Sequence, residues 1–369
     1  MDREEFIENQ AAFQLGACDA PLGLNLEALA RSEGKERHAL IFHDPADQSF
    51  VPAARARWLA KDASGEWRAH FESGDVTKNE QHRATRKADL LSELYALGIR
   101  SPLIMDMSDA VHETNRFPAF QYNRPVDASN SILWPLKRYH GIGSRSFCIP
   151  PDASEPGLAA KGLVLCWRGV LRGYSTLGGN IKNIGHIIKS FVDNRIDRDL
   201  LLAHLNTVPR YVFVSRYFDV EGFDIGFHLP DGQRYFGEAP DVARYVKPYA
   251  PPTEQLQNKY QISIQGTDVA SSFGWQLGTN CVILREPYPW VVFFDGHFHA
   301  WDHYVPIAAD FSDVPEKIAW CERNPAACQQ MIEKRHELVE LLLDREIRHE
   351  ALKRVVARYD EFYSRWAAG

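Results

Sequence analysis

The chain has 369 residues, of which 45% are hydrophobic, 12% aromatic and 25% charged, and its formal net charge is -7. This composition is typical of a folded globular protein and excludes a mainly disordered, collagenous or coiled-coil chain; the length suggests two domains or one large one. Because acidic residues outnumber basic ones, the protein has no global positive field that would attract nucleic acid or anionic lipid. The composition is still compatible with a local basic patch.

The sequence also bears on the cellular compartment. Apolar runs such as 163–167 and 290–294 are too short to span a bilayer, so we expect no transmembrane helix. The first ten residues, MDREEFIENQ, are acidic where a secretory signal carries basic residues, which favours a cytoplasmic location. Six cysteines without a CxxC pair are typical of reduced, mostly buried thiols.

In the first part of the chain the hydrophobic pattern predicts both strands and helices. Residues 38–43 and 101–107 have the pattern of short buried strands, and a stretch of helical spacing from Ala88 ends near Gly98. A hairpin is predicted from two strands that flank a turn-forming stretch, residues 58–61 and 67–71.

A stretch rich in Gly, Pro and Ser, residues 138–161, is the best candidate for a domain boundary. We therefore predict a first domain over residues 1–145, a second over 146–330, and terminal helices over 331–369 that could cross back to the first domain. Beyond the boundary strands and helices alternate, which predicts an α/β fold with a parallel sheet covered by helices. The predicted strands are 162–167, 211–217, 260–264 and 281–284, and the predicted helices are 180–192 and 270–277.

The last part of the chain is predicted to be helical. Asp313 and Glu316 form a candidate capping box, and Asn324 followed by Pro325 is typical of a helix start. A final helix is predicted to pack on a domain surface through one apolar stripe, formed by Ala351, Leu352, Val355, Tyr359, Phe362 and Trp366.

The densest set of chemically active residues lies in residues 259–307. A strand ending in Gln265 and Gly266 is followed by small residues at a helix start, namely Thr267, Ala270, Ser271 and Ser272. Backbone N–H groups and hydroxyls in this pattern can approach an anion closely, as at a diphosphate site. A turn capped by Ser or Asp is the commoner explanation.

The same segment holds a second, competing pattern. His297, His299, Asp302 and His303 are crowded as in a metal site, and a metal-dependent hydrolase built on the three histidines is one alternative function. Because they alternate on an irregular aromatic stretch without a second ligand cluster, structural histidines are the favoured interpretation.

Another candidate lies at the end of the predicted strand 162–167, because ligands collect at the carboxyl ends of strands in open α/β sheets. Arg168 could bind phosphate in a bidentate way, and Gly169 would let a ligand approach the backbone. An ion pair between Arg168 and a surface carboxylate is an equal alternative.

Two carboxylates, Asp106 and Asp109, come at the end of the predicted strand 101–107. A carboxylate in that position can deprotonate a hydroxyl nucleophile, and an N-cap or Asx turn is the alternative. Asp197 and Asp199 begin an apolar helical stretch and are better explained as helix-capping residues than as metal ligands.

Together these segments resemble glycosyltransferase family 90 over roughly residues 101–320. The most specific part is KYQISIQGTDVASSFGWQL, followed by the words FF, HYVPI and DFSDV. Trp167-Arg168-Gly169 is similar to the family's aromatic-Arg-Gly motif, and ILWPL (132–136) looks like its Trp-Pro element. Asp109 falls where animal members carry the aspartate of an Arg-Asp-Tyr-Pro word, whose flanking residues this chain lacks, and Gln265 stands where those members have Arg.

The resemblance implies a GT-B architecture, in which two Rossmann-like domains face a cleft and the second binds the donor nucleotide. It implies an inverting enzyme that uses a UDP-sugar and needs no bound metal or other cofactor. Asp109 would be the general base with Asp106 as the alternative, and Asp106 and Trp134 would line the acceptor cleft. The implied donor-binding residues are Arg168, Gly169, Arg172, Gln265, Gly266, Ser271 and Ser272.

The expected function is transfer of a hexose or pentose from a UDP-sugar to a hydroxyl of a glycan, with lipopolysaccharide or a related surface glycan as the expected acceptor. A lipid-bearing acceptor would be met at the inner face of a membrane through a local amphipathic or basic patch. A non-catalytic nucleotide-binding or glycan-binding protein on a transferase scaffold is the second alternative. No nucleic-acid partner is expected.

Overall fold

The computed structural model of the protein describes residues 1–33, 39–71, 76–109, 115–144, 147–149 and 154–369. The chain forms two compact units. The first comprises residues 1–144, 289–297 and 340–369, and the second comprises residues 145–288 and 298–339. Each unit has its own hydrophobic core.

The helices of the described residues are α1 (Arg3–Leu15), α2 (Leu26–Glu33), α3 (Lys78–Ala96), α4 (Lys137–His140), α5 (Ile184–Val192), α6 (Arg198–Leu205), α7 (Pro209–Tyr217), α8 (Pro240–Ala243), α9 (Pro252–Gln255), α10 (Ser271–Gln276), α11 (Val314–Arg323), α12 (Pro325–Leu343) and α13 (Arg345–Ala368). The strands are β1 (Ile41–Asp44), β2 (Ser49–Val51), β3 (Leu59–Lys61), β4 (Trp67–Ala69), β5 (Leu103–Met105), β6 (Ala119–Gln121), β7 (Asn123–Pro125), β8 (Ser131–Leu133), β9 (Gly162–Gly169), β10 (Tyr174–Ser175), β11 (Lys182–Asn183), β12 (Phe223–Phe227), β13 (Asn258–Ser263), β14 (Val282–Arg285), β15 (Trp290–Val292) and β16 (Val305–Pro306).

The first unit is built on a mixed five-stranded sheet with the order β2-β1-β5-β6-β8. Strand β1 is antiparallel to β2 and β5, whereas β5, β6 and β8 run parallel. The predicted hairpin is confirmed as β3 and β4. The predicted apolar stripe of α13 is also confirmed, because Val355 and Tyr359 lie in the core of this unit.

The second unit is built on a five-stranded sheet in which every neighbouring pair is parallel, with the order β12-β9-β13-β14-β16. This confirms the predicted α/β class with a parallel sheet. The chain runs from β9 outward to β12 and then places β13 on the other side of β9, so the direction of winding reverses between β9 and β13. Ligands bind at such a switch point, beyond the carboxyl ends of the strands.

Two local predictions are wrong. Residues 211–217, predicted as a strand, form helix α7, which starts at Pro209 and buries Tyr211 and Val214 on one face. A short apolar run fits a buried helix as well as a strand, and the strand that fills this place in the sheet is β12. The side chain of Asp313 does not cap α11; its carboxylate accepts a hydrogen bond from the Ala308 N–H at 2.8 Å.

Other local predictions are confirmed. Asp197 caps α6 by accepting from the Leu200 N–H at 2.8 Å, and Pro325 is the first residue of α12. Five of the six cysteines are buried. Among the described residues, no helix combines the length and apolar character that crossing a bilayer requires.

One buried guanidinium holds a loop of the second unit in place. Arg335 of α12 is 1% exposed and donates to four backbone carbonyl oxygens, at 2.6 to 3.3 Å. The acceptors belong to Leu277, Thr279, Cys281 and His303. A planar group with five N–H donors can satisfy several carbonyls at once, which an apolar side chain cannot do.

We expect Arg335→Met to lower the free energy of unfolding by about 3 kcal/mol or more, because it leaves several buried carbonyls without a donor. Urea unfolding followed by circular dichroism measures this loss. Glu337→Gln, at an exposed position of the same helix, is the matched control and should change stability by less than about 0.5 kcal/mol. Equal stability of the two variants would contradict the role of Arg335.

Candidate functional site

The loops that follow β9 and β13 form the candidate site of the second unit. These loops and the residues that flank them include six of the residues predicted from the sequence to bind a ligand. Gly169 ends β9, Arg172 follows it, Gln265 and Gly266 follow β13, and Ser271 and Ser272 begin α10. Because β9 and β13 are parallel neighbours, their carboxyl ends lie at the same edge of the sheet. Sequence positions about 100 residues apart are thereby brought to one place.

A guanidinium that the sequence did not single out ties these two loops together. Arg210 of α7 donates to the carbonyl oxygen of Val170 at 2.7 Å, of Gln265 at 3.0 Å and of Ile264 at 3.2 Å. Desolvation lowers the pKa of Arg210 to about 10, so the group remains charged at neutral pH. The loop after β9 and the loop after β13 are therefore held by one cation.

Glycines allow the close approach of these loops. A Cβ atom at Gly266 would lie 3.0 Å from Nη2 of Arg210, and a Cβ atom at Gly173 would lie 3.0 Å from the carbonyl oxygen of Gly266. Gly173 also has φ +134°, a conformation that side chains rarely adopt. Gly169 is required for another reason, since a Cβ there would overlap the ring of Trp167.

A buried carboxyl closes the base of the site. Glu286 follows β14 and accepts a hydrogen bond from the backbone N–H of Gln265. Burial raises the pKa of Glu286 to about 8, although the Gln265 N–H and the charge of Arg210 act in the opposite direction. Glu286 is consequently mostly neutral near pH 7, and a neutral carboxyl does not repel an anionic ligand.

The helix after the β13 loop begins at a residue that has no capping side chain. The N-cap residue of α10 is Ala270, whose methyl group cannot accept a hydrogen bond from the first turn. Ser271 is exposed and Ser272 is half-buried at this end of the helix. The residue at the N-cap position therefore does not cap the first turn of α10.

The two arginines near the end of β9 differ in their partners. Arg168 is 8% exposed at its side chain and pairs with Asp224 of β12 at 2.5 Å, while Lys247 contacts the same carboxylate at 2.9 Å. This ion pair is the alternative that the sequence left open. Arg172 is exposed and makes no hydrogen bond or ion pair with the described residues.

Asp109 lies in the first unit, just beyond β5. Its carboxylate oxygen Oδ1 accepts from Arg86 at 2.8 Å and from the hydroxyl of Tyr122 at 2.5 Å. Arg86 also donates to the carbonyl oxygen of Met107 at 3.0 Å, and its guanidinium stacks 4.8 Å from the Tyr122 ring centre. The carboxylate is thus oriented by two side chains from α3 and from the residue after β6.

The ionisation of Asp109 follows from these contacts. Burial acts to raise its pKa, but the positive charge of Arg86 and the hydrogen bonds from Tyr122 and Arg86 outweigh that effect and lower the pKa. The Asp109 side chain is still 50% exposed, so an ionised carboxylate is available to a hydroxyl group in solution.

The other two predicted residues of the first unit are buried. Asp106 is 1% exposed and its Oδ1 accepts from the backbone N–H of Ser108 at 3.1 Å and from its hydroxyl at 2.5 Å, so it forms the Asx turn that the sequence left open. Trp134 is fully buried and donates from Nε1 to Glu93 at 2.6 Å. A buried core side chain does not line a cleft, which corrects the cleft-lining role expected for Trp134.

The histidine cluster does not form a metal site. His297 hydrogen-bonds to Gln10 Oε1 at 2.9 Å and stacks on Phe6, in the first unit. His303 accepts the His299 N–H at 2.9 Å, and Asp302 pairs with Lys334 at 2.6 Å. Within the described part of the chain, no three His, Cys, Asp or Glu side chains are arranged to hold a metal ion. The interpretation as structural histidines fits these contacts.

Sequence reasoning missed Arg210, Glu286, Arg86 and Tyr122. Arg210 directly precedes the run that was assigned to a strand, and the signal that could have corrected this is Pro209, which favours a helix start. Arg86 and Tyr122 lie 23 and 13 residues from Asp109, so no local pattern connects them to it.

Comparison with known proteins gives a family for part of the chain. Residues 242–362 match the family model of Glycosyl transferase family 90, which confirms over that range the resemblance predicted from the sequence. This range includes the β13 loop, α10, β14 and Glu286, whereas Asp109 and β9 lie outside it.

Individual relatives are similar to short parts of the chain. It is 34% identical over 92 residues to the O-glucosyltransferase LpsA of Dichelobacter nodosus, which covers 24% of this chain and 28% of that protein. It is 32% identical over 66 residues to protein O-glucosyltransferase 3 of Homo sapiens, which covers 18% of this chain and 13% of that protein. It is 31% identical over 97 residues to protein 035R of Invertebrate iridescent virus 3, which covers 26% of this chain and 9% of that protein. The chain therefore spans well under two thirds of the length of each of these relatives.

We expect the stability of the protein to depend on pH through Glu286. Its pKa is raised from the usual 4.5 to about 8 in the folded protein, so unfolding between these pH values releases a proton. Stability contributed by the neutral group is present below about pH 4.5 and is lost as the pH rises toward 8, by up to about 1.4 kcal/mol per pH unit.

Urea unfolding of the wild type and of Glu286→Gln across this pH range measures the effect. The amide keeps an acceptor for the Gln265 N–H but does not titrate, so the stability of the wild type relative to the variant should fall as the pH rises. A difference that is constant with pH would show that Glu286 has an ordinary pKa.

Proposed function

We propose that this protein is an inverting glycosyltransferase that moves a sugar from a UDP-sugar to a hydroxyl of a glycan acceptor, without a bound metal. The observation that carries the proposal is the switch-point site between β9 and β13, whose second loop lies in the region matched by Glycosyl transferase family 90. Two of the relatives are O-glucosyltransferases, which supports the same class of reaction.

In the proposed arrangement the nucleotide diphosphate lies beyond the carboxyl ends of β9 and β13. The N–H groups at Ser271 and Ser272, together with the backbone at Gly266, would donate to the phosphate oxygens. Gln265 and Gly169 would line the same loops. The neutral state of Glu286 supports this assignment, because an ionised carboxylate there would repel the phosphates.

We assign the main cationic contact to Arg172. Its side chain is exposed and without a partner in the described residues, so its guanidinium can bind an anion without breaking another ion pair. Arg168 already donates to the carboxylate and the carbonyl of Asp224. Its proposed contribution to the donor site is therefore smaller and requires exchange of that partner.

The proposed architecture is GT-B, with the first unit on the acceptor side and the second unit on the donor side. In the transfer step the acceptor oxygen attacks the anomeric carbon and forms the new glycosidic bond. The bond between that carbon and the UDP oxygen breaks, its electron pair leaves with UDP, and Asp109 takes the proton of the acceptor hydroxyl. Arg86 and Tyr122 would hold Asp109 in its ionised form for this role.

The proposed acceptor is a lipopolysaccharide or a related surface glycan. This acceptor follows the bacterial family branch that the sequence resembles, and we propose that the reaction takes place at the cytoplasmic face of a membrane.

The first test is thermal unfolding with UDP, several UDP-sugars and ADP, each with EDTA and with added divalent metal. A ligand at about 100 times its Kd stabilises the folded protein by about 2.7 kcal/mol. Stabilisation by UDP in EDTA but not by ADP is expected, and no response to any nucleotide would overturn the proposal.

We expect Arg172→Ala to weaken UDP binding on the order of tenfold to a hundredfold, because it removes a charge-assisted contact. Isothermal titration calorimetry measures the change. Arg168→Ala is the matched comparison at the end of the same strand and should weaken UDP binding less, while it destabilises the second unit by removing one of the two cations that pair with Asp224. If Arg168→Ala weakened UDP binding more than Arg172→Ala, the main phosphate contact would be assigned to Arg168 instead.

We expect Asp109→Asn to keep UDP affinity within a few fold and to lower the transfer rate on the order of a hundredfold or more, because an amide cannot accept the proton. Assays with radiolabelled UDP-sugars and a glycan acceptor measure the rate. Turnover like that of the wild type would remove Asp109 from the mechanism.

The pH dependence tests the contacts of Asp109 separately. Because the positive charge of Arg86 helps to lower the pKa of Asp109, Arg86→Met should raise that pKa and move the acidic limb of kcat/KM to higher pH. Arg68→Met, which removes an exposed charge paired with Asp62 and Glu66, is the control and should leave the profile unchanged. A lower rate with an unmoved acidic limb would make Arg86 a purely structural residue.

A further inference from the structure

A second pocket lies on the surface of the second unit, away from the switch-point loops. Its volume is about 310 Å³, at the lower end of the range typical of small-molecule sites. Two of its residues, Trp301 and Asp302, come from the loop before β16, and Trp320 comes from α11. Ala327, Gln330 and Lys334 line it from one face of α12, where their spacing of three and four residues places them in a row. We call it the tryptophan pocket.

The two indoles give the pocket an aromatic wall. The ring centres of Trp301 and Trp320 are 4.9 Å apart with an interplanar angle of 67°. Trp301 is 43% exposed although it packs against Trp320, and its φ of 68° is a backbone conformation that bulky residues rarely adopt. The fold thus holds a large apolar ring in contact with solvent at a position where the backbone disfavours it.

The charged groups of the pocket are paired with each other, and the polar groups of the pocket can still form hydrogen bonds with a ligand. Asp302 and Lys334 form an ion pair at 2.6 Å, and their side chains are 52% and 44% exposed. Gln330 is exposed and its amide makes no hydrogen bond with the described residues. Lys317, 5.2 Å from the Trp301 ring, is paired with Asp313 at 3.5 Å.

This combination selects a class of ligand. Because each lysine beside the indoles is already paired with a carboxylate, the pocket offers no uncompensated charge to a phosphate or to a nucleic acid. A carboxylate, an ammonium and an amide next to one another match the many hydroxyl groups of a sugar, each of which both donates and accepts. An exposed indole matches the apolar C–H face of a pyranose ring, which carries partial positive charge toward the π-system.

We propose that the tryptophan pocket binds a neutral hexopyranose unit of a glycan, at a site separate from the transfer site. It shares no residue with the loops after β9 and β13, and Trp301 and Asp302 stand at the amino end of β16 rather than at a carboxyl end. This binding is separate from the proposed transfer reaction. The tryptophan pocket would hold a part of a glycan that does not react, and sugar binding in the pocket needs neither UDP nor Asp109.

The test is nuclear magnetic resonance of the full chain labelled with ¹⁵N at the tryptophan indoles. Maltose, lactose and mannobiose are titrated into the millimolar range, with and without UDP. We expect at least one of them to shift the indole signals of Trp301 and Trp320 in a saturable way, and UDP to leave that shift unchanged. Absence of a saturable shift with all three sugars would overturn the proposal.

Variants then locate the binding. Gln330→Ala removes an exposed side chain without touching the core and should weaken sugar binding by about two- to tenfold, with the Trp301 and Trp320 signals as the readout. Trp301→Ala should abolish binding, and the dispersion of its remaining indole signals reports whether the protein is folded. Tyr249→Ala, at a 64% exposed aromatic position outside the pocket, is the matched control and should bind like the wild type.

Two results would count against the proposal even if the Trp301 signal moves. Shifts that grow with protein concentration in the absence of sugar would identify the surface as a contact between copies of the chain. Binding that survives in both Gln330→Ala and Trp301→Ala but fails in Arg172→Ala would assign the sugar to the donor site. Loss of transfer activity in the wild type bears on the proposed function alone, because none of these measurements requires turnover.

Discussion

The guanidinium of Arg210 is the contact on which the candidate site of the second unit depends. At the switch point of a parallel sheet, the chain leaves β9 and β13 in different directions, and the carbonyl oxygens beyond the last ladder bonds lose their strand partners. Arg210 donates to three of these carbonyls, at Val170, Ile264 and Gln265. Because one rigid planar group contacts both loops, their separation is set by its width. The need for glycine at Gly266, where a Cβ would press on the same guanidinium, follows from this packing.

Charge pairing decides which of the many ionic side chains remain available to a ligand. Arg168 is held by Asp224, and Asp302 is held by Lys334, so neither is a free charge. Glu286 is buried enough to stay mostly neutral, which removes a negative charge from the switch point. Arg172 is left exposed beside these loops. An anion at the switch point and a neutral sugar in the tryptophan pocket are the ligands that such a distribution of charge fits best.

The family similarity and the geometry support different parts of the proposed site. The matched range, 242–362, contains the β13 loop, α10 and Glu286, and it also contains the tryptophan pocket. It does not reach Asp109 or β9, so the proposed base depends on its own contacts, and the proposed cationic contact depends on the exposed position of Arg172 after β9. For Asp109 these are the hydrogen bonds from Arg86 and Tyr122, which orient one carboxylate oxygen and favour its ionised form.

The sequence by itself determined the features that depend on neighbouring residues. The α/β class, the β3–β4 hairpin, the Asp197 cap and the apolar stripe of α13 follow from local periodicity and turn chemistry. The resemblance of the segment 259–307 to glycosyltransferase family 90 was also readable from the sequence. Tertiary structure decided what depends on distant partners. It paired Arg168 with Asp224, buried Trp134 in a core and made 211–217 a helix. It also brought Arg210, Arg86 and Tyr122 to the sites that they support, because an ion pair, a desolvated carboxyl or a bridging guanidinium is defined by residues far apart in the chain.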